Sequence, residues 1–259
     1  MSIRKVANTI LPKSLRGPAD KTASKAGGEL PFEYHSVIEY ERFVAELIAR
    51  HPLDEAMSLA VGGDYERIGD IASDIVIDAG ARDGMAMLDF GCGSGRVASA
   101  LSRKVSLGRY LGTDVVQALL DYAKTKTPAH YVYRRETGFR FPAEDNAFDM
   151  AYAFSVFTHL LQTECYIYLL DMQRVLKPGG IAVISFLELR APLHWPVFEH
   201  SAMRVKAGTS AHLDTFIERG QFNVLAQKSG FDVLRYIDGA AEISSRGPLG
   251  QSVAIFKKR

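Results

Sequence analysis

The sequence predicts a doubly wound α/β fold, in which helices cover both faces of a mostly parallel seven-stranded sheet with an antiparallel last strand. From Met85 onward, short apolar runs alternate with segments of helical periodicity, as parallel strands alternate with their crossover helices. Runs such as Ile181–Phe186 are apolar except for one serine, which is typical of strands buried on both faces. Only about 14 residues separate the last two runs, too few for a crossover helix, so the final strand should be antiparallel.

The individual elements follow from the same patterns. The strand candidates are Ala86–Phe90, Arg109–Gly112, His130–Tyr133, Phe148–Phe154, Ile181–Phe186, Phe231–Ile237 and Ser252–Phe256. Helices are predicted where apolar residues recur three and four positions apart, at Glu39–Arg50, Tyr65–Ala79, Arg96–Arg103, Val116–Lys124, Thr163–Leu176 and Gln221–Lys228. Gly80 and the Lys177–Gly180 segment are typical of helix ends.

A length of 259 residues suits one α/β domain with attachments. We predict a flexible basic N-terminal tail over 1–30, a helical cap over 31–80 and the sheet domain over 81–259, with 187–214 as an insertion or lid. The basic residues of the tail could alternatively contact an anionic partner or lipid headgroups.

Composition narrows the class of protein. The residues are 47% hydrophobic and 24% charged, with a net charge of +1, so no global field favours nucleic acid as a partner. No run reaches the roughly 18 apolar residues of a membrane span, and the N-terminus lacks the apolar region of a signal peptide. Two cysteines, Cys92 and Cys165, do not make a disulfide framework, and together these features predict a cytoplasmic protein.

A glycine-rich loop follows the first predicted strand and precedes a helix. Its glycines fall at 91, 93 and 95, where the absence of Cβ lets the backbone approach a ligand closely. Dinucleotide-binding loops need G-x-G-x-x-G, but here Arg96 occupies the place of the third glycine. Binding a diphosphate also does not require an acidic residue such as Asp89 just before the loop. A cofactor with positively charged groups is compatible with a carboxylate there.

An aspartate ends the next strand, 19 residues after Gly95. The carboxylate of Asp114 could accept hydrogen bonds from both hydroxyls of a ribose, with Val115 against the adenine. The alternative is that Asp114 caps the following helix, because aspartate is a good N-cap.

Residues 85–186 resemble the class I, Rossmann-like S-adenosylmethionine-dependent methyltransferases. Asp89 with the three glycines is similar to the first family motif, Asp114 to the second, Phe141–Asp149 to the approach to the fourth strand, and Leu176–Gly180 to the turn before the fifth. The resemblance implies S-adenosyl-L-methionine as cofactor, bound by Asp89, Gly91, Cys92, Gly93, Ser94, Gly95, Asp114, Val115, Thr137, Phe154 and Ser155. Thr137 stands where the family often has an acid near the adenine amine, with Glu136 adjacent.

Methyl transfer is an in-line substitution that depends largely on alignment, with a base helping for hydroxyl or protonated amine acceptors. His159, after the fourth strand, is the candidate base, although it could instead fix the loop or cap the next helix. The 187–214 insertion should shape the acceptor site through His194, Trp195 and His200, whose spacing does not suggest a metal site.

We therefore predict a methyltransferase acting on a small molecule. Positions 153–156, Ala-Phe-Ser-Val, lack the Asn/Asp-Pro-Pro-aromatic motif of enzymes that methylate base amines. A protein or RNA methyltransferase and a non-catalytic cofactor-binding protein remain alternatives, and a nucleotide-dependent oxidoreductase is disfavoured by the loop spacing. The sequence does not specify an oligomeric state.

Overall fold

The computed structural model describes residues 35–208 and 214–259, which belong to one compact unit. The predicted tail, the first residues of the predicted cap and residues 209–213 of the predicted insertion lie outside the described residues. No helix within the described ranges is long and apolar enough to cross a bilayer.

The described residues form eight helices and seven strands. The helices are α1 (His35–Arg50), α2 (Leu53–Ala60), α3 (Tyr65–Asp78), α4 (Arg96–Ser102), α5 (Gln117–Lys126), α6 (Gln162–Val175), α7 (Trp195–Lys206) and α8 (Arg219–Lys228). The strands are β1 (Ala86–Phe90), β2 (Arg109–Asp114), β3 (Val132–Arg135), β4 (Phe148–Ala153), β5 (Leu176–Phe186), β6 (Phe231–Ile237) and β7 (Ser252–Lys258).

The seven strands form one sheet in the order β3-β2-β1-β4-β5-β7-β6. Strands β1 to β5 pair in parallel, and β7 is antiparallel to both of its neighbours, β5 and β6. The predicted fold class is therefore confirmed, including the reversed last strand. The strand order places β1 and β4 side by side although β2 and β3 separate them in sequence, which creates a topological switch point between them.

Three local features differ from the sequence prediction. The third strand begins at Val132 and not at His130, because the Tyr131 N–H closes a turn onto the carbonyl of Pro128. The sequence pattern predicts neither α2 nor α7. Strand β5 begins at Leu176, and its pairing with β4 is interrupted between Phe148 and Met150, where the Lys177–Gly180 segment loops out.

The core lies on the two faces of the sheet. Side chains of β1 alternate between them, as the pleat of a strand requires: Met87 belongs to the cluster beneath α3 and α4, and Leu88 to the cluster beneath α6 and α8. A third, smaller cluster joins α1 and α2 to α5 through Val44, Met57 and Leu119. The N-terminal helices are therefore packed against the edge of the sheet domain that carries the glycine loop.

Candidate functional site

The candidate site lies where β1, β2 and β4 end. The glycine loop joins β1 to α4, Asp114 ends β2, and Ser155 follows β4. Ligands in open α/β sheets bind outside the carboxyl ends of the strands, at the switch point. The fold therefore brings these three predicted segments together.

The conformation of the loop requires its glycines. Gly91, Gly93 and Gly95 all have positive φ, at 68°, 54° and 80°, a region that side-chain-bearing residues rarely adopt. The N–H groups of Gly91 and Cys92 donate to the carbonyl of Thr113, at 2.8 and 2.9 Å. These bonds fix the loop against the end of β2, and α4 begins directly after it.

Asp114 is buried and holds the loop through hydrogen bonds. One carboxylate oxygen accepts the N–H of Gly93 at 2.9 Å, and the other accepts the N–H of Val116 at 3.0 Å. Burial raises the pKa of the Asp114 carboxyl, and these N–H donors oppose that rise. The hydrogen bond from the Val116 N–H is similar to what is expected if Asp114 caps the following helix. A carboxylate oxygen can accept more than one hydrogen bond, so Asp114 could also bind a ribose. This role stays a prediction.

The predicted adenine contacts, Val115 and Thr137, lie near Asp114. Both are half-buried. The N–H of Glu136 donates to the carbonyl of Asp114 at 3.0 Å, which fixes the end of β3 beside the end of β2.

Three other predicted cofactor residues direct their side chains to the protein. Asp89 is buried and accepts a 2.8 Å hydrogen bond from the Tyr110 hydroxyl, and burial raises the pKa of its carboxyl to about 7. Ser94 Oγ donates to the Met57 carbonyl at 3.0 Å. Cys92 is buried against β2, and burial raises the pKa of its thiol. The backbone of Cys92 and Ser94 remains the part that could bind a cofactor.

Residues of the N-terminal helices pack closely against the glycine loop and the start of α4. The Tyr65 hydroxyl donates to the Ser94 carbonyl at 2.9 Å. A Cβ on Gly69 would lie 2.7 Å from the Arg96 carbonyl, and a Cβ on Gly93 would lie 2.6 Å from Val61 Cγ1. The absence of side chains at these two glycines therefore lets α3 and the turn before it approach the glycine loop and α4 closely.

A cavity of about 200 Å³ lies beside the loop, lined by Val61, Gly62, Ile68, Arg96, Ser155, Leu249 and Gln251. Arg96 is 8% exposed, and burial lowers the pKa of its guanidinium to about 10. Its one described hydrogen bond runs from Nη1 to the Gly63 carbonyl at 3.1 Å. A guanidinium has five N–H donors, and the hydrogen bonds among the described residues use one of those of Arg96.

Ser155 belongs to a polar network at one side of this cavity. Its N–H donates to Ser185 Oγ at 2.7 Å, and its hydroxyl accepts from Gln251 Nε2 at 3.0 Å. Ser185 Oγ donates to Gln251 Oε1 at 2.7 Å. Ser155 has a φ of 59°, an unusual conformation for serine that is typical of functional sites. The preceding Phe154 is buried against Tyr152.

His159 lies close to an aspartate that the sequence analysis did not assign. Its Nδ1 is 3.9 Å from Asp214 Oδ1, and Asp214 also accepts a hydrogen bond from the Ser201 hydroxyl. The Thr215 N–H donates to the Thr158 carbonyl at 2.8 Å, which holds this segment beside the loop after β4. Asp214 could therefore orient His159.

The three predicted acceptor residues do not share one surface. His194 is fully buried, and its Nδ1 accepts the Glu188 N–H at 3.0 Å, whereas Trp195 and His200 are exposed on α7. Because His194 is buried, the structure does not place it on the surface that carries Trp195 and His200, and the role of each toward an acceptor stays a prediction. No metal-binding cluster of His, Cys, Asp or Glu is found among the described residues.

Sequence reasoning did not assign Arg96 and Gln251 to the site. In the sequence, Arg96 stands out only as the residue in place of a third glycine, because a charged residue at a helix start is normally solvated. Gln251 is 96 positions from Ser155, and the strand order alone brings them together. The apolar residues Val61 and Ile68 carry no signal that separates them from core residues.

The chain is similar to known methyltransferases in sequence. The profile of a family described as a methyltransferase domain matches residues 88–184. A demethylmenaquinone methyltransferase of Staphylococcus aureus is 35% identical over 147 residues, which cover 52% of this chain and 59% of the relative. The chain thus matches little more than half the length of this relative.

Solved structures share the fold. Magnesium protoporphyrin IX methyltransferase of Synechocystis, determined with bound SAH, has a TM-score of 0.62 at 13% identity and covers 87% of this chain and 100% of its own. An S-adenosylmethionine-dependent methyltransferase of Mesorhizobium loti has a TM-score of 0.57 at 14% identity, with coverages of 73% and 100%. At such identities the likeness concerns the fold alone.

Proposed function

We propose that this chain, which matches a methyltransferase-domain family over residues 88–184, transfers the methyl group of S-adenosylmethionine to a small-molecule acceptor. The observation that carries this proposal is the loop of three positive-φ glycines, fixed by Asp114 at the switch point between β1 and β4. A loop of this kind, at the start of a helix, offers backbone to a ligand at close range.

The side chains of the site fit the chemical groups of this cofactor. The Asp114 carboxylate can accept hydrogen bonds from ribose hydroxyls, and the buried Arg96 guanidinium offers donors to the cofactor's carboxylate. When bound, S-adenosylmethionine supplies a methyl group activated by the sulfonium. The cavity of about 200 Å³ is smaller than the roughly 300–1,000 Å³ usual for ligand sites, so we expect the turn at Val61–Asp64 to move on binding.

The reaction requires alignment and the removal of one proton. The acceptor forms a bond to the methyl carbon, the carbon–sulfur bond breaks, and an acceptor atom that bore hydrogen releases a proton. We assign His159 as the base that takes this proton, oriented by Asp214. The proposal is supported by the position of His159 just after β4 and by the 3.9 Å distance to Asp214 Oδ1.

A small-molecule acceptor is supported by the named activity of the Staphylococcus relative, a demethylmenaquinone methyltransferase. We propose that Trp195 and His200 contribute to the acceptor surface, and that nucleic acid is not a partner. Both described cysteines are free and buried, which supports the proposal that the protein works in a reducing, cytoplasmic compartment.

Isothermal titration with S-adenosylmethionine, S-adenosylhomocysteine and NAD tests the cofactor assignment. We expect the first two to bind with dissociation constants in the micromolar range, about −8 kcal/mol, and NAD not to bind. Binding of NAD alone would overturn the proposal and leave only the fold.

The assignment of His159 is tested by His159→Ala in a methylation assay with reduced demethylmenaquinone as acceptor. We expect turnover to fall by about 100-fold or more, the usual contribution of a general base, while S-adenosylmethionine affinity is unchanged. His51→Ala is the matched control, since His51 pairs with Glu55 on the N-terminal helices. Full turnover in His159→Ala would remove this histidine as the base.

A second candidate function is a protein that binds the cofactor without transferring its methyl group. The cavity beside the loop is small for a cofactor together with an acceptor, and Val61 lies against the loop. Both observations favour binding of the cofactor without methyl transfer. Tight cofactor binding, together with no methyl transfer to demethylmenaquinone or to other quinol, phenol and amine acceptors, would support this alternative.

A further inference from the structure

Helix α7 and the turn before it carry a concentration of exposed apolar side chains. None of the twelve residues of α7 is buried. The large apolar side chains that are exposed in this part of the chain are Leu189, Leu193, Trp195, Val197, Phe198, Met203 and Val205, with exposures from 37% to 68%. Exposed apolar residues are ordinary when single, but this many within residues 189–205 are typical of an interaction surface.

The described contacts between α7 and the rest of the domain combine one aromatic pair, Phe198 with Phe216 at a ring-centroid distance of 5.5 Å, with polar contacts. His194 precedes the helix and is fully buried, bonded to the backbone of Glu188. Glu188 is itself buried in an ion pair with Arg219, at 2.8 Å. Farther along, Ser201 donates to Asp214. An ordinary surface helix buries its apolar stripe and exposes its polar side, whereas α7 leaves Phe198 and Val205 exposed.

Basic residues flank the apolar side chains. Between residues 189 and 206 the charged residues are Arg190, Arg204 and Lys206 against Glu199, a net charge of +2 from three positive and one negative. The rings of Trp195 and Phe198 pack together at a centroid distance of 5.2 Å, tilted by 36°. Aromatic and aliphatic residues beside arginine and lysine are typical of helices that lie in the interface of a membrane with anionic lipids.

We propose that α7 with the preceding turn, residues 189–206, is a docking surface for an anionic lipid bilayer. The apolar side chains would enter the boundary between headgroups and acyl chains, and Arg190 and Lys206 would contact lipid phosphates. Charge complementarity favours this occupant over a second copy of the chain, because two such surfaces would place like charges together.

Intrinsic tryptophan fluorescence can report on binding at this surface. Trp195 is its single tryptophan and is 45% exposed. Adding vesicles of equimolar phosphatidylcholine and phosphatidylglycerol to the full chain should shift the tryptophan emission to shorter wavelength, and the protein should sediment with the vesicles. Vesicles of phosphatidylcholine alone should bind more weakly, and high salt should weaken binding to the anionic vesicles.

The variants Phe198→Glu and Val205→Glu should each reduce vesicle affinity by about tenfold or more, since each buries a charge in place of an apolar side chain. Val224→Glu is the matched control, because Val224 is 54% exposed on α8. It should leave vesicle binding unchanged. Circular dichroism melting of each variant verifies that the fold is retained.

Two results would overturn the proposal. One is the absence of both emission shift and co-sedimentation with anionic vesicles. The other is an emission shift without vesicles that grows with protein concentration, which would identify a second copy as the occupant. S-adenosylmethionine titration of the same samples reports on the cofactor site separately, so failure of the docking proposal and failure of the proposed function are distinguishable.

Discussion

Replacing Asp114 with alanine is expected to lower the affinity for S-adenosylmethionine by about 100-fold or more, because two hydrogen bonds to a charged carboxylate, each of about 1.5–3 kcal/mol, would be lost. The same change leaves the buried N–H groups of Gly93 and Val116 without their acceptor. The loop should therefore lose order as well as its ligand contact. Calorimetric titration of the purified variant measures the affinity.

Two companion variants separate these contributions. Asp114→Asn keeps one carbonyl acceptor and should lose less stability than Asp114→Ala while still binding the cofactor weakly. Asp121→Ala removes an exposed carboxylate from the neighbouring α5 and should leave affinity unchanged. Unaltered S-adenosylmethionine affinity in a folded Asp114→Ala protein would show that Asp114 serves the loop and the helix start only.

Replacing Asp89 with asparagine is expected to stabilise the protein above pH 7. Burial raises the pKa of Asp89 to about 7, from the ordinary aspartate value of 3.8. Between these two values the folded state binds more protons than the unfolded state, so the group makes stability fall as pH rises. This loss of unfolding free energy is absent below about pH 4 and complete above about pH 7, where it amounts to about a few kcal/mol.

Chemical denaturation at pH 5 and pH 8 measures this effect. Asparagine retains an oxygen that can accept the Tyr110 hydroxyl, so the variant should gain stability relative to the natural chain as pH rises. Asp121→Asn, an exposed control on α5, should show no such gain. An Asp89→Asn protein that is less stable at both pH values would show that the carboxylate is stabilised by more than this hydrogen bond.

The fold could be predicted from the sequence because its signals are local. Mostly apolar runs predict β1 and the second half of β5, and the short connection before β7 predicts its direction. Helix α2 has only eight residues, too few for a clear period. The sequence does not predict helix α7, because helices are recognised by a stripe of apolar residues that packs against the core. The apolar residues of α7 do not form such a buried stripe.

The candidate site could be predicted only where backbone conformation or strand ends dictate residue type. Glycines at positive φ and an aspartate at the end of β2 leave such a signature. The burial of His194 and Arg96 leaves no such signature in the sequence. This burial depends on how α3, α4 and the segment after β5 pack together. Their residue types alone suggest exposure, and only tertiary structure reveals the guanidinium beside the cavity.

The position of β7 between β5 and β6 has a consequence for how the chain folds. β6 and β7 pair across a short connection, whereas β7 pairs with β5 across about 70 residues, as in Ser185 with Val253. Local contacts form with a smaller loss of chain entropy than distant ones. We therefore expect the β6–β7 hairpin to form first and to dock on β5 as a unit, completing the sheet in its final step.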